Sequence, residues 1–183
     1  MVLLPCLFYQ STVGKINGFL PENRDFLCPK CKKGQLRYRD HVKRIMRDEG
    51  GSSEWLEIPR CQCDNEACRK IHRMLPDCLL PYKHYKEEVV SGVLDGIVKP
   101  DDQDSEDYPC VMTMKLWLLW FLLNAKNIEG LVNSIAYREL GYSEEVFTPG
   151  KSLFENIRRT SQGRWLSIAI RMIYNSGSAL QAV

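Results

Sequence analysis

Cys28-Pro29-Lys30-Cys31 and Cys63-Asp64-Asn65-Glu66-Ala67-Cys68 are the two stretches whose reading decides the fold. Each brings two thiols within reach of one ion, the first as C-x2-C and the second as C-x4-C. Four thiolates satisfy a tetrahedral zinc, which demands no fixed separation between the two halves. A set of four also closes the coordination shell, leaving no position for water or substrate. The expectation is one structural Zn2+ held by Cys28, Cys31, Cys63 and Cys68, contributing folding free energy and no chemistry. Two neighbours are alternative ligands or supports. Cys61 lies two residues before Cys63, and the strand reading sets it on the opposite side. His72 lies four residues after Cys68 and could replace it or cover the site.

The residues between the pairs read as a β-hairpin. Gln35 to Met46 shows some alternation, Asp48-Glu49-Gly50-Gly51-Ser52-Ser53 is a strong turn, and Trp55-Leu56-Glu57-Ile58 returns toward the second pair. Strands are expected over 35–47 and 54–62. Upstream, residues 1–27 form an N-terminal arm with a turn at Pro21-Glu22-Asn23. The opening Met1 to Gln10 has no basic region and carries Pro5, so it reads as a strand or packing arm rather than a signal peptide. Downstream, Lys83 to Val98 repeats Tyr85, Val89, Val90, Val93, Leu94 and Ile97 at helical spacing. Further helices are expected from Thr113 to about Ala125, from Asn127 to Leu140 with Gly141 at the C-cap, from Ser152 to Arg159 and from Arg164 to Tyr174. The segment after Thr113 is apolar nearly all round, which predicts burial on most sides. The fold expected is therefore α+β: an N-terminal arm (1–27), a small zinc-ribbon hairpin (28–80) and a helix-turn-helix-like bundle of four or five helices (81–183).

Composition limits the function. The 183 residues are 44% hydrophobic and 26% charged, which supplies a core. A formal net charge of +2 excludes a histone-like basic field. The charge is unevenly placed, however. Residues 28–85 hold 13 Lys and Arg against 8 Asp and Glu, residues 86–108 hold 2 against 8, and residues 151–172 hold 5 against 1. A basic, acidic, basic order suits a polyanion partner. Eight cysteines, six of them within 28–78, favour metal binding in a reducing compartment over a disulfide framework. Cys6, Cys78 and Cys110 lack partners at ligand spacing and read as core thiols. Leu116 to Leu123 is the most apolar run, and eight residues fall short of the roughly 20 a helix needs to cross a bilayer. A cytoplasmic protein with no membrane partner is expected. No G-x-S-x-G, P-loop or H-E-x-x-H is present, so the chain does not read as an enzyme.

Two binding functions follow. In the first, Lys30, Lys32, Lys33, Arg37, Arg39, Lys43, Arg44 and Arg47 on the ribbon, with Arg69, Lys70, Arg73 and Lys83 beyond it, neutralise DNA phosphates. In the second, the ribbon is a rigid platform for a protein partner, and Trp117, Trp120 and Phe121 form the contact surface without direct nucleic-acid contact.

The run Cys68-Arg69-Lys70-Ile71-His72-Arg73-Met74-Leu75-Pro76-Asp77-Cys78-Leu79-Leu80-Pro81-Tyr82-Lys83-His84-Tyr85 resembles a motif of an uncharacterised bacterial family. That pattern is C-P-x-C, a basic hairpin, then C-x(2–4)-C-x-x-x-H-R-x-L-P-D-x-L-x-P-Y-K-x-Y. The likeness extends loosely through Tyr108-Pro109-Cys110 and Met112 to Phe121, and through Gly163-Arg164-Trp165-Leu166 and Asn175-Ser176-Gly177. The resemblance implies a zinc ribbon followed by helix-turn-helix helices, and a DNA-binding accessory or regulatory role in a transposon or insertion element beside its transposase. The chain departs from the family where the helix after Thr113 should be basic. It carries only Lys115 there, and a recognition helix needs Arg, Lys, Asn or Gln to read base edges.

Overall fold

The structure, a computed structural model, describes residues 1–5, 9–12, 15–18, 26–102, 109–140, 152–161 and 163–181. Six strands are formed among these residues: β1 (Val2–Leu4), β2 (Tyr9–Thr12), β3 (Lys15–Gly18), β4 (Leu36–Arg47), β5 (Ser53–Cys63) and β6 (Ile71–Pro76). Four helices follow among the described residues: α1 (Glu87–Leu94), α2 (Val111–Leu140), α3 (Leu153–Thr160) and α4 (Trp165–Asn175). Cys6, the turn at 21–23, the acidic residues 103–108 and the Gly141 cap lie outside the described residues.

The expected hairpin is the spine of a larger sheet. β4 and β5 pair antiparallel from Leu36 opposite Cys63 to Arg47 opposite Ser53, with a register shift between Tyr38 and Asp40. Gly51 closes the turn at φ 73, a conformation open to glycine without steric cost. The other edge of β5 is shared. β3 runs parallel to it over 55–57, and β6 runs antiparallel over 60–62. β1 then adds parallel to β6, with Val2 opposite Met74. The free side of β1 is clamped by Asn175, whose Oδ1 accepts the Leu3 N–H at 2.8 Å and whose Nδ2 donates to the Leu3 carbonyl at 3.0 Å. A helix end thereby satisfies backbone groups that an edge strand would leave open.

A hairpin followed by an independent helical bundle is therefore not what forms. Successive side chains of a strand point to opposite faces, and this sheet contributes to two separate apolar clusters. Leu3, Leu56, Ile58 and Leu75 join Val89, Val90, Val93, Trp117, Ile128, Trp165 and Ile170 in one core between the sheet and the helices. Val2, Leu4, Leu36, Cys61, Met74 and the thiols Cys28 and Cys63 form a second cluster. The helices thus pack against the sheet through the first cluster, and the thiols of Cys28 and Cys63 lie in the second. Long-range parallel pairing through β1 and β3 left no local signature in the sequence, which is why the sheet was underestimated.

The helices also differ in extent. α1 covers only the middle of the expected 83–98 helix. The expected helices at 113–125 and 127–140 are one continuous α2, because nothing between Ala125 and Asn127 breaks it. Asn124, buried inside α2, donates to the Trp120 carbonyl at 2.9 Å and accepts the Gln181 N–H at 3.2 Å, tying the C-terminal tail to the helix. Asp77 joins strand to helix as well. It is buried, and Arg171 of α4 donates to its Oδ2 at 2.9 Å.

Glu87 makes a further joint. The N-cap of α4, Arg164, offers no capping side chain, and buried Glu87 of α1 instead accepts the Ser167 N–H at 3.3 Å. Burial raises its pKa from 4.5 to about 7, against the opposing pull of Ser167 and Arg164. The folded pKa lies above the unfolded one, so this contribution to stability is full below 4.5 and lost as pH rises through about 7. Glu87→Gln keeps an acceptor without the charge. It is expected to flatten this component of the pH profile of melting temperature and to raise stability above neutral pH. Parallel profiles for the two proteins would contradict the assignment.

Candidate metal centre and the surface around it

The first knuckle is a tight turn. Cys28 N–H donates to the Gly34 carbonyl at 2.8 Å, Lys32 N–H donates to the Cys28 carbonyl at 2.9 Å, and the Gly34 N–H points at Cys31 Sγ from 3.4 Å. The second is built alike. Asn65 accepts the backbone N–H groups of Cys68 and Arg69 at 2.9 and 3.0 Å, and its side chain accepts from Ala67 at 3.0 Å. In both knuckles the residue after the second cysteine is left-handed, Lys32 at φ 56 and Arg69 at φ 47. This conformation is uncommon outside glycine and is held here by the turn hydrogen bonds. The knuckles are locked together because Asp64 Oδ1 accepts the Gln35 N–H at 2.7 Å and the Asp64 N–H donates to Gln35 at 3.0 Å.

All four predicted thiols converge. The sulfurs of Cys28, Cys31, Cys63 and Cys68 lie within 4.8 Å of one another. Cys28 and Cys68 are 3.9 Å apart and Cys31 and Cys63 are 3.6 Å apart. A tetrahedral ion with Zn–S bonds of about 2.3 Å requires sulfurs roughly 3.8 Å apart, so the spacing fits. These residues could hold a metal ion such as zinc. The backbone N–H groups of Gly34 and Lys33 lower the Cys31 pKa to about 6, while burial raises that of Cys63 to about 12. Gly34 is required by space: a Cβ there would lie 2.5 Å from Cys63 Sγ.

The supports separate clearly. Cys61 is buried in the same cluster as Cys63, since residues two apart in a strand share a face; the expectation that it points the opposite way is wrong. It is not in the four-thiol set, and burial alone raises its pKa to about 11. His72 sits behind Cys28, with Nε2 3.4 Å from the sulfur and Nδ1 3.4 Å from the Met1 amine. Burial lowers its pKa to about 4, so the ring is neutral. A neutral ring with Nδ1 accepting from the amine carries its proton on Nε2, aimed at the thiolate. Gly177, at φ 94, lies so near the first knuckle that a Cβ there would meet the Pro29 carbonyl oxygen. The C-terminal tail therefore rests on the metal centre.

The cations predicted to meet phosphate divide into two groups. Arg44 is structural, donating to the carbonyls of Leu80 and Lys83. Lys83 is buried with its ammonium 5.0 Å from the centre of the Trp120 ring, so it faces the core and no phosphate. Arg47 lies over Tyr85, and Arg37 and Arg39 have Asp64 and Asp40 within ion-pair distance. Lys30, Lys32, Lys33, Lys43, Arg69, Lys70 and Arg73 are exposed. Three of these, Lys30, Lys70 and Arg73, gather with Met1 and His72 around a cleft of about 430 Å³ beside the knuckle, and among the described residues no acid lines it.

Other expectations fell on α2. Trp117 and Trp120 are buried and Phe121 is half-buried, so these three are core, not a contact surface. The leucines of the same run are not buried on most sides: Leu116, Leu118, Leu119, Leu122 and Leu123 are exposed. Cys110, expected in the core, is exposed, with its sulfur 3.2 Å from Thr113 Oγ1. No helix among the described residues is long and apolar enough to cross a membrane. No curated protein and no solved structure matches the chain. Residues 28–117, from the first knuckle to Trp117 in α2, match the model of a family described as a domain of unknown function (DUF6431).

Proposed function

We propose that the chain is a nucleic-acid-binding module whose basic surface is shaped by one structural zinc. The carrying observation is the acid-free cleft, where Lys30 from the first knuckle, Lys70 beside the second and Arg73 of β6 converge. In a chain of net charge +2, a concave site whose charged groups, among the described residues, are all positive selects an anion. Four thiolates close the ion's shell, so its role is to hold the two knuckles and their lysines in register. The family resemblance directs the reading further, to DNA of a transposon or insertion element and an accessory or regulatory task beside its transposase. Duplex from the element's ends is the natural probe, with random duplex as control. If three or four phosphates are neutralised, affinity is expected to fall roughly 40- to 150-fold between 50 and 200 mM salt. Lys70→Glu with Arg73→Glu is expected to abolish binding at the lower salt. Affinity unchanged by salt and by both reversals would count against the reading.

A second reading rests on α2. Met112, Leu116, Leu119 and Leu123 recur at alternating spacings of four and three, and Leu118 and Leu122 widen the stripe. Together with Val111 they expose on the order of 600 Å² of apolar surface, the upper end of what monomers show. Pairing with a second copy would remove about 1,200 Å² from water, within the range of stable interfaces. On this reading the module assembles with itself through α2.

A further inference from the structure

β6 is paired on one edge with β5 over Ile71–Arg73, and on the other with β1 only from Met74 onward. Among the described residues, no strand covers that second edge over 71–73. Ile71, His72 and Arg73 all line the cleft beside the first knuckle. Neighbouring strand residues point to opposite faces, so a cleft that touches all three lies along the strand's edge and not on one face of the sheet. Met1, ahead of β1, bounds one end of this edge. At the other end the C-terminal tail meets the knuckle, where Gly177 leaves no room for a Cβ beside the Pro29 carbonyl oxygen.

Donors from separate segments line this space. Lys30 comes from the knuckle, Lys70 from the residue before β6 and Arg73 from β6, and all three are exposed. Tyr174 of α4 is a buried lining residue. Its hydroxyl accepts the Leu180 N–H at 3.5 Å, and its own proton has no acceptor among the described residues. Burial, against the pull of the Leu180 N–H, raises its pKa, so the phenol stays protonated and donates. Tyr82 completes the lining. It is 64% exposed at φ 63, a conformation a bulky residue adopts rarely and at a cost. Such strain tends to be retained where a side chain's placement matters.

We infer that the cleft takes the phosphorylated end of a nucleic-acid strand, its terminal phosphate monoester held by Lys30, Lys70, Arg73 and the Tyr174 hydroxyl, and its last nucleotide against the Tyr82 ring. This rests on the nucleic-acid reading above and narrows it to strand ends. A phosphate monoester carries roughly −1.5 to −2 charges at neutral pH, against roughly −1 for a diester inside a strand. A cluster of three cations therefore favours the end group. Its free oxygens accept from several donors at once, and a guanidinium matches phosphate geometry. The cleft's volume of about 430 Å³ lies in the range of small-ligand sites. Bounded at both ends of the strand edge, it admits a strand by its end and not along its length. An open aromatic ring stacks on any base, so the last nucleotide's identity should matter little.

The test uses the full zinc-loaded chain and a labelled duplex with a short unpaired thymidine overhang, ending in either a 5′-phosphate or a 5′-hydroxyl. Fluorescence anisotropy at about 100 mM salt compares the two. The phosphorylated end should bind about 10-fold more tightly. Tyr174→Phe deletes one donor and keeps the buried ring. Tyr82→Gly removes the exposed ring and suits the left-handed backbone, so loss of fold is not expected. Each variant should weaken binding of the phosphorylated end about fivefold or more and leave the hydroxyl end within about twofold. Free thymidine 5′-monophosphate, added as competitor, should bind at least about 10-fold more weakly than the phosphorylated strand. Equal affinity for the free nucleotide would make it the ligand and overturn the strand-end assignment. Phosphorylated and hydroxyl ends bound alike, or both variants keeping the full preference, would overturn this inference and leave the broader reading standing. Failure of both duplexes to bind at about 50 mM salt would overturn both.

Discussion

Cys63→Ser is expected to release the metal and to leave the chain largely unfolded at physiological temperature. Cys63 is fully buried on β5, and its sulfur faces Cys31 at 3.6 Å. A hydroxyl is a poor zinc ligand, and three thiolates alone hold the ion weakly, so the remaining cysteines take up protons as it leaves and the folding free energy it supplied is lost. Structural zinc binding is worth about 10–16 kcal/mol in small zinc domains at neutral pH, and a domain's whole stability is about 5–15 kcal/mol. Losing several kcal/mol of that coupling is enough to unfold the knuckles and the C-terminal tail resting on them. Cys61→Ser, two residues away on the same face, is the control. It should cost about 1–2 kcal/mol for a buried hydroxyl and retain the metal. Metal content by mass and thermal melting decide the matter. Equal metal and melting for Cys63→Ser and wild type would remove Cys63 from the ligand set.

Leu119→Glu is expected to convert a dimer into a monomer. Leu119 lies mid-stripe on the exposed face of α2, among Met112, Leu116, Leu122 and Leu123. A carboxylate there would be buried without a partner in the pair, yet costs the monomer little because the position already meets water. Light scattering at tens of micromolar should give twice the chain mass for wild type and the single mass for the variant. Zinc content and melting of the variant's chain should stay intact. A wild-type protein that remains monomeric, with the same mass as Leu119→Glu, would contradict self-association through α2.

How far the sequence foretold this molecule depends on the range of the interactions involved. The hairpin was legible nearly to the residue, because Gly50-Gly51 and the flanking alternation are local signals. The convergence of the four thiols was legible because cysteine pairs at these spacings carry chemistry in themselves. The partners of β5 on its second edge were not, since Val2 opposite Met74 and Lys15 opposite Trp55 are pairings across long separations. The leucines of α2 show a different limit. An all-round apolar helix predicts burial, but the sequence does not say whether a second packing layer exists. Lys83 shows the same limit. Its charge suggests solvent, whereas the fold sets its ammonium over the Trp120 ring and lowers its pKa by burial.

X-ray absorption at the zinc edge tests the metal centre most directly. The arrangement of Cys28, Cys31, Cys63 and Cys68 predicts one zinc per chain with four sulfur neighbours at about 2.3 Å. His72 should stay outside the coordination sphere, behind Cys28. A nitrogen or oxygen neighbour near 2.0 Å in place of a sulfur, or purified protein free of zinc, would contradict it.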